Sequence, residues 1–298
     1  MRTAFIQQLI QEARRNPQIF LLVGDLGFSV VEPFAEEFPD RFLNVGIAEQ
    51  NMTGIAAGLA MEGFRVFTYS IANFPTLRAL EQIRYDVCYH NLDVKIVAVG
   101  AGYAYASLGP SHHATEDIGI LRTLPNLALV SPADPHEARR LTTWLCETPG
   151  PAYLRLGKAG EPEVHPGPVE VQAGIPIRLK EGRGKAVLTT GSLLKYAAEK
   201  VAGTEAALYS FPFLKPLSPV AMLEILEGFP EIYTLEEHQL QAGFGSVVAE
   251  MATDAFAAGR LSRFPRIHRI GINDRFLTMA GSQEYIRAQA GIGLPDLL

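Results

Sequence analysis

Glu49 is the side chain best placed to do chemistry in this 298-residue sequence. It opens the run Glu49-Gln50-Asn51-Met52, the head of a helix built mostly from small and apolar residues, and a strand-like run over 42–45 leads into it. Met52, Ile55, Ala56, Leu59 and Ala60 recur at helical spacing as one apolar face. Gly54 and Gly58 stand four apart, so a second backbone can approach that helix closely. An acid in a first turn commonly does no more than complement the helix dipole. With Ile47, Ala48, Met52 and Ile55 around it, however, the setting also suits a carboxyl that exchanges a proton. His112 is the second candidate. It lies in the loop Leu108-Gly109-Pro110-Ser111-His112 after a strand-like run over 94–99, and loops at strand ends are where ligand contacts concentrate. His112, His113 and Glu116 do not make a zinc set, because the Gly-Pro-Ser lead-in favours a loop and no third ligand recurs at useful spacing. No metal site is expected in this chain. Gly100-Ala101-Gly102 lacks the later glycine of a dinucleotide fingerprint, and no Gly-x-Ser-x-Gly elbow occurs. Glu236-Glu237-His238 reads as structural rather than as an acid–base cluster.

These residues need a scaffold, and the hydrophobic pattern supplies one. Short apolar runs over 19–23, 42–45, 66–69, 94–99, 127–130 and 152–156 alternate with helical stretches such as 77–90 and 135–147. This alternation predicts an α/β fold whose mostly parallel sheet carries helices on both faces. Between Gly157 and Gly184 the pattern fails and Gly, Pro and charge accumulate, which predicts a linker with an edge strand. Runs over 186–190, 206–210, 232–235 and 267–270 then build a second, smaller α/β domain. The expected division is 1–158, a linker over 159–184, and 185–298. A hydrophobic fraction of 48% and a charged fraction of 19% place the chain among soluble globular proteins. A net charge of -6 without any basic run argues against nucleic acid, and no apolar run approaches membrane-spanning length. Cys88 and Cys146 lack metal spacing and read as buried free thiols of a cytoplasmic protein; the amphipathic N-terminus has no signal-peptide core.

The string Asn44-Val45-Gly46-Ile47-Ala48-Glu49-Gln50-Asn51-Met52 resembles the pyrimidine-binding domain of the transketolase family of thiamine diphosphate enzymes. Gly109-Pro110-Ser111-His112-His113, then Glu116-Asp117, Leu121-Arg122-Thr123-Leu124-Pro125-Asn126 and Ser131-Pro132-Ala133-Asp134, resemble the family's substrate-side loop and the segments after it. Thr234-Leu235-Glu236-Glu237-His238, Gly243-Phe244-Gly245-Ser246 and Ile270-Gly271-Ile272-Asn273-Asp274-Arg275-Phe276 resemble its C-terminal domain. The resemblance covers most of the chain in the family's order. It implies that Glu49 contacts the aminopyrimidine ring of thiamine diphosphate and starts its activation. It also implies that His112 lies near the reacting carbonyl and hydroxyl, where it can stabilise a developing alkoxide. Of the two aromatics that flank the pyrimidine in transketolases, the second corresponds to Phe74 and the first to Ile71 in Tyr69-Ser70-Ile71-Ala72-Asn73-Phe74.

What is missing also carries information. The family binds magnesium and diphosphate through a Gly-Asp-Gly motif and a later Asn, and no Gly-Asp-Gly occurs here. The chain therefore reads as the β-like half of a split transketolase, its Mg2+ held mainly by a partner subunit that carries the motif. The expected assembly is a homodimer core that recruits two partners, α2β2, with the face Gly54, Ala57, Gly58 and the region 236–246 as contacts. The activity implied is transfer of a two-carbon ketol unit between a ketose and an aldehyde, with small-molecule sugars as substrates. Ser29, Arg78 and Lys158 match or neighbour the family's substrate contacts, Lys158 standing where an Arg grips phosphate. Leu108 replaces a hydroxyl-binding Asp, and Gly100 replaces a His, which points to an altered sugar. Two further readings stand beside this one: the β subunit of a 2-oxoacid dehydrogenase, and a non-catalytic scaffold of the same fold.

Overall fold

The structure is a computed structural model and describes residues 1–296. Its first part runs α1 (Arg2–Arg15), β1 (Ile19–Val23), α2 (Glu32–Glu37), β2 (Phe42–Asn44), α3 (Glu49–Met61), β3 (Arg65–Ile71) and α4 (Leu80–Gln82). It continues through β4 (Val94–Val99), α5 (Asp117–Leu121), β5 (Ala128–Val130), α6 (Pro135–Glu147) and β6 (Ala152–Leu156). The second part holds β7 (Ile177–Lys180), β8 (Lys185–Thr189), α7 (Leu194–Val201), β9 (Ala207–Ser210) and β10 (Phe213–Lys215). After these come α8 (Pro219–Gly228), β11 (Glu231–Gln239), α9 (Phe244–Ala257), β12 (Arg266–Ile272) and α10 (Gln283–Ala290). Among the described residues no helix is long and apolar enough to cross a membrane.

Two sheets form, as the alternation predicts. The seven-stranded one has the order β10-β5-β6-β4-β3-β1-β2 and the five-stranded one β12-β11-β8-β9-β7. Each is parallel except at one edge, where β10 and β7 run antiparallel. The edge strand expected in the linker is β7, which pairs with β9. The sequence reading does not contain β10. Only three residues long and next to Pro212 and Pro216, it gives no periodic signal, yet it leaves the second part of the chain to pair with β5 of the first sheet. The helix expected over 77–90 also differs. Its regular part is short and passes into a π-helical segment, Ile83–Tyr89.

Burial explains why these segments became strands and helices. Every residue of the central strand β4 is buried, including Lys95, whose Nζ is held by the Thr148 and Gly150 carbonyls and by Asp93. Side chains of α1 and α6 pack on one face of the first sheet around Phe5, Leu9, Phe67 and Leu141. On the other face, Met52 and Ala56 of α3 join Val87 and Ile96 in a core that continues to Leu188, Met222 and Phe244 of the second part. A third cluster, around Val187, Leu194, Leu235 and Ile286, covers the far face of the second sheet with α7 and α10. Cys88 and Cys146 are both buried free thiols.

The run Glu236-Glu237-His238 is structural. Glu236 is wholly buried at the head of α9, where Oε2 accepts from the Phe244 amide at 2.6 Å and Oε1 from the Gly245 amide at 2.7 Å. A Cβ at position 243 would lie 2.2 Å from Glu236 Oε2, so the glycine preceding Phe244 is what lets the carboxyl reach these amides. Burial pushes the Glu236 carboxyl up from 4.5 to about 7, against the opposing pull of the two amides. The native state therefore holds a proton that the unfolded chain has released over roughly pH 4.5–7. This contribution to stability is complete below the unfolded value and is lost as pH rises through that window. Urea unfolding at pH 5 and pH 7.5 should show the decline in the wild type and a smaller one in Glu236→Gln. An equal decline in both would remove Glu236 as its source.

Candidate active site

The carboxyl ends of β1, β3, β4 and β6 share one edge of the first sheet, because all four strands are parallel. Loops leaving a parallel sheet at that edge are where this class of fold builds its sites. Glu49, the first residue of α3, is brought to the edge by the turn after β2, and its side chain is 1% exposed. Oε1 accepts from the Ser70 hydroxyl at 3.2 Å, and Oε2 receives Arg78 Nη1 at 2.7 Å. The Arg78 guanidinium also sits 4.7 Å above the Phe74 ring, a cation–π contact. Phe74 in turn meets the His112 ring edge-on at 5.5 Å between centroids. Glu49, Arg78, Phe74 and His112, four of the residues singled out from the sequence, thus form one contiguous cluster.

His112 is the last residue of a short turn, Pro110–His112, and its Nδ1 lies 3.0 Å from the Ser111 hydroxyl. Among the described residues no partner is found for Nε2, so that nitrogen is the one available to a ligand. The loop is closed at its neck by an antiparallel bridge between Gly102 and Ala114. Position 100 requires glycine, because φ is +106° there and an added Cβ would lie 2.5 Å from the Tyr105 ring. A histidine at that position would therefore need the loop rebuilt.

Ile71 ends β3, half-buried, and its carbonyl accepts from the Phe74 amide. Ser29 is exposed on the loop after β1, with φ +62° and its amide bound to Glu32 Oε1. Leu108 is exposed in the turn Ala106–Leu108. Lys158 lines a separate cavity of about 610 Å³ with Ser192, Tyr196, Gln283 and Arg287, a setting not shared with Glu49. Two details of the sequence reading need correction. Ile47 does not wall Glu49, being 78% exposed, because the turn before α3 points it outward. Ala57 is buried and does not share the open face of Gly54 and Gly58, where an added Cβ would meet nothing within 4 Å.

Ser70, Asn73 and Arg155, which hold Glu49 and the His112 loop, are the residues around the cluster that sequence reasoning missed. Ser70 and Asn73 lie in the very string quoted for Phe74, but nothing in their types shows which neighbour they bind. Glu49 offers a carboxyl of the kind that pairs with a basic nitrogen of a heteroaromatic ring. The carboxyl is held from one side by Ser70, and a Cβ at position 24 would stand in ordinary contact with Oε1 at 3.5 Å. Phe74, half-exposed, offers an apolar face. Among the described residues no group of three or more metal-ligating side chains occurs.

Comparison with known proteins accords with this geometry. The family described as transketolase, pyrimidine binding domain, matches residues 1–161. An apulose-4-phosphate transketolase subunit from Actinobacillus succinogenes is 33% identical, over 98% of this chain and 94% of its own length. The 1-deoxy-D-xylulose-5-phosphate synthase 1 of Geobacter sulfurreducens is 35% identical over 97% of this chain but only 45% of its own. Among solved structures, a split-gene transketolase described as an inactive beta4 tetramer superimposes with a TM-score of 0.85 at 34% identity, covering 98% of this chain and 93% of that one.

The Glu49–Arg78 pair joins a buried carboxylate to a guanidinium whose side chain is 45% exposed, so solvent screens part of the attraction. Removing the arginine still strands a buried oxygen. Arg78→Met should lower stability by about 1–3 kcal/mol in urea unfolding. Adding Glu49→Gln to that variant should restore most of the loss, since the neutral amide needs no countercharge. Strict additivity of the two changes would show that the pair is not coupled.

Proposed function

The chain belongs to the transketolase family, and on that premise we propose that it is the pyrimidine-side subunit of a split, two-chain enzyme. Its activity is transfer of a two-carbon ketol unit from a ketose to an aldehyde, with thiamine diphosphate as cofactor. The observation that carries this reading is the contiguous cluster of Glu49, Arg78, Phe74 and His112 at the carboxyl edge of the sheet. Residues 1–158 serve as the pyrimidine domain and 185–298 as the C-terminal domain. The cofactor, when bound, supplies the electron sink for breaking and making the carbon–carbon bond. Glu49 holds or releases a proton at the far ring nitrogen of the pyrimidine, and Ser70 keeps the carboxyl aimed. Phe74 packs against the ring. His112, with Nδ1 engaged by Ser111, turns Nε2 toward the substrate oxygen on which charge develops.

A partner subunit completes the site. Phe28, Leu43 and Ile47 stand 73%, 42% and 78% exposed on the β1 and β2 side of Glu49, apolar side chains of the kind a partner would cover. The open glycine face of α3 adds a flat surface for close packing. These features support an α2β2 assembly in which the partner carries the diphosphate and Mg2+ ligands. The similarity to an apulose-4-phosphate transketolase subunit, together with Leu108 and Gly100, supports an unusual sugar as substrate.

Two outcomes are expected. In calorimetric titration the isolated chain should bind thiamine diphosphate with Mg2+ weakly or not at all, and light scattering should show a larger assembly once a diphosphate-domain chain is added. Tight binding without any partner would sink the two-chain reading, and acyl transfer to lipoamide by the pair would assign it to a dehydrogenase instead. In the reconstituted pair, Glu49→Gln should slow proton–deuterium exchange at the cofactor's reactive carbon by on the order of 10²–10⁴-fold. An unchanged exchange rate in the folded variant would return Glu49 to the role of a helix-dipole acid.

A further inference from the structure

Asn73 lies between the residues that match the family's two ring contacts, in the turn that follows β3. Its side-chain amide reaches across to the other loop of the site. Nδ2 donates to the Ser111 carbonyl at 3.4 Å and, more closely, to the His113 carbonyl. These are the two carbonyls on either side of His112. Both are acceptors only, so the amide nitrogen must face them, and an NH2 group has one hydrogen for each. Serine or threonine could supply only one donor. Aspartate, the same shape, would set a charged oxygen against two carbonyl oxygens. The orientation has a cost of its own, because Asn73 Oδ1 is left buried without a partner among the described residues. The neighbouring side chain acts on the same target, since the Phe74 ring abuts the His112 imidazole. The far side of the loop is held independently, Arg155 Nη2 donating to the Ala114 carbonyl at 2.8 Å.

We propose that Asn73 is the positioning residue for His112: by gripping the backbone on both sides of the imidazole, it fixes where Nε2 meets the substrate. The proposal rests on the transketolase reading for its catalytic consequence, but the clamp itself can be tested without it. In the chain by itself, labelled at histidine with 13C, Asn73→Asp should shift and broaden the Cε1–H resonance of His112. It should also speed amide exchange over residues 109–114, with His165 and His268 unmoved as internal controls. Asn73→Ala, which introduces no charge, should do the same more mildly. In the reconstituted pair, Asn73→Asp should lower kcat by on the order of 10²-fold, the scale of a misplaced catalytic group, with thiamine diphosphate affinity unchanged. In a His112→Ala background the same substitution should cost nothing further. An unmoved His112 resonance in either folded variant overturns the clamp. Equal losses of kcat with and without His112 overturn its role through that residue. Should the reconstituted wild-type pair show no ketol transfer, the functional reading fails and the histidine spectrum still decides the clamp.

Discussion

The buried ion pair between Arg155 and Asp117 is the interaction on which the rest of the arrangement depends. Arg155 Nε meets Asp117 Oδ2 at 2.7 Å with both side chains almost wholly removed from solvent. Nη2 of the same guanidinium reaches Ala114 at the neck of the His112 loop and Glu237 on β11 of the second sheet, both through carbonyls. One side chain on β6 thus ties the first sheet, the His112 loop and the second sheet together. Burial would raise the Asp117 carboxyl, but Arg155, aided by the Tyr153 hydroxyl, holds it below its usual range. A buried pair of this kind adds little net stability over an apolar substitute, but breaking it leaves a lone charge in the interior. Its contribution here is to registration: three backbones that must meet are given one shared set of donors.

That registration extends to the second sheet through close packing. An added Cβ at Gly102 would lie 2.7–2.8 Å from the side chain of Glu237, so the neck of the loop touches β11 with no space between. Glu237 is itself gripped by Arg287 and Gln283 of α10. His238 Nε2 accepts from the Gly119 amide at the start of α5. The second part of the chain therefore buttresses the loop that presents His112. Its acid-rich strand, which resembles a catalytic cluster in one dimension, is a set of braces.

The edge of the first sheet divides its labour differently. The Glu49 end is built from a buried carboxyl, one hydroxyl and one half-exposed arginine, and its outer flank is apolar and open. The His112 end is built from backbone carbonyls, an amide and an aromatic edge. Phe74 and Arg78 join the two ends. One carboxyl and one imidazole are thus both supported from behind. Phe28, Leu43 and Ile47 stand exposed on the β1 and β2 side of the Glu49 end.

Much of this protein was legible in one dimension. Parallel strands buried on both faces read as continuous apolar runs, so β1, β3, β4 and β6 declare themselves, as do the two sheets they imply. Glu49, Phe74 and His112 were legible chiefly through the resemblance of the strings that hold them, since an acid in a first turn, a Phe at a strand end and a lone loop His each have an ordinary structural explanation. Tertiary structure alone decided the rest. Strand β10 is three residues whose partner lies some eighty positions away, and no local period predicts such a pairing. Arg78 is expected from the sequence as a substrate contact; only folding sets it on Glu49 and over Phe74. Lys158 follows a strand as a site residue should, yet the chain's course after β6 turns it to another cavity. Asn73 and Arg155 act by donating to carbonyls far along the chain, and a backbone carbonyl leaves no mark in a sequence because every residue has one.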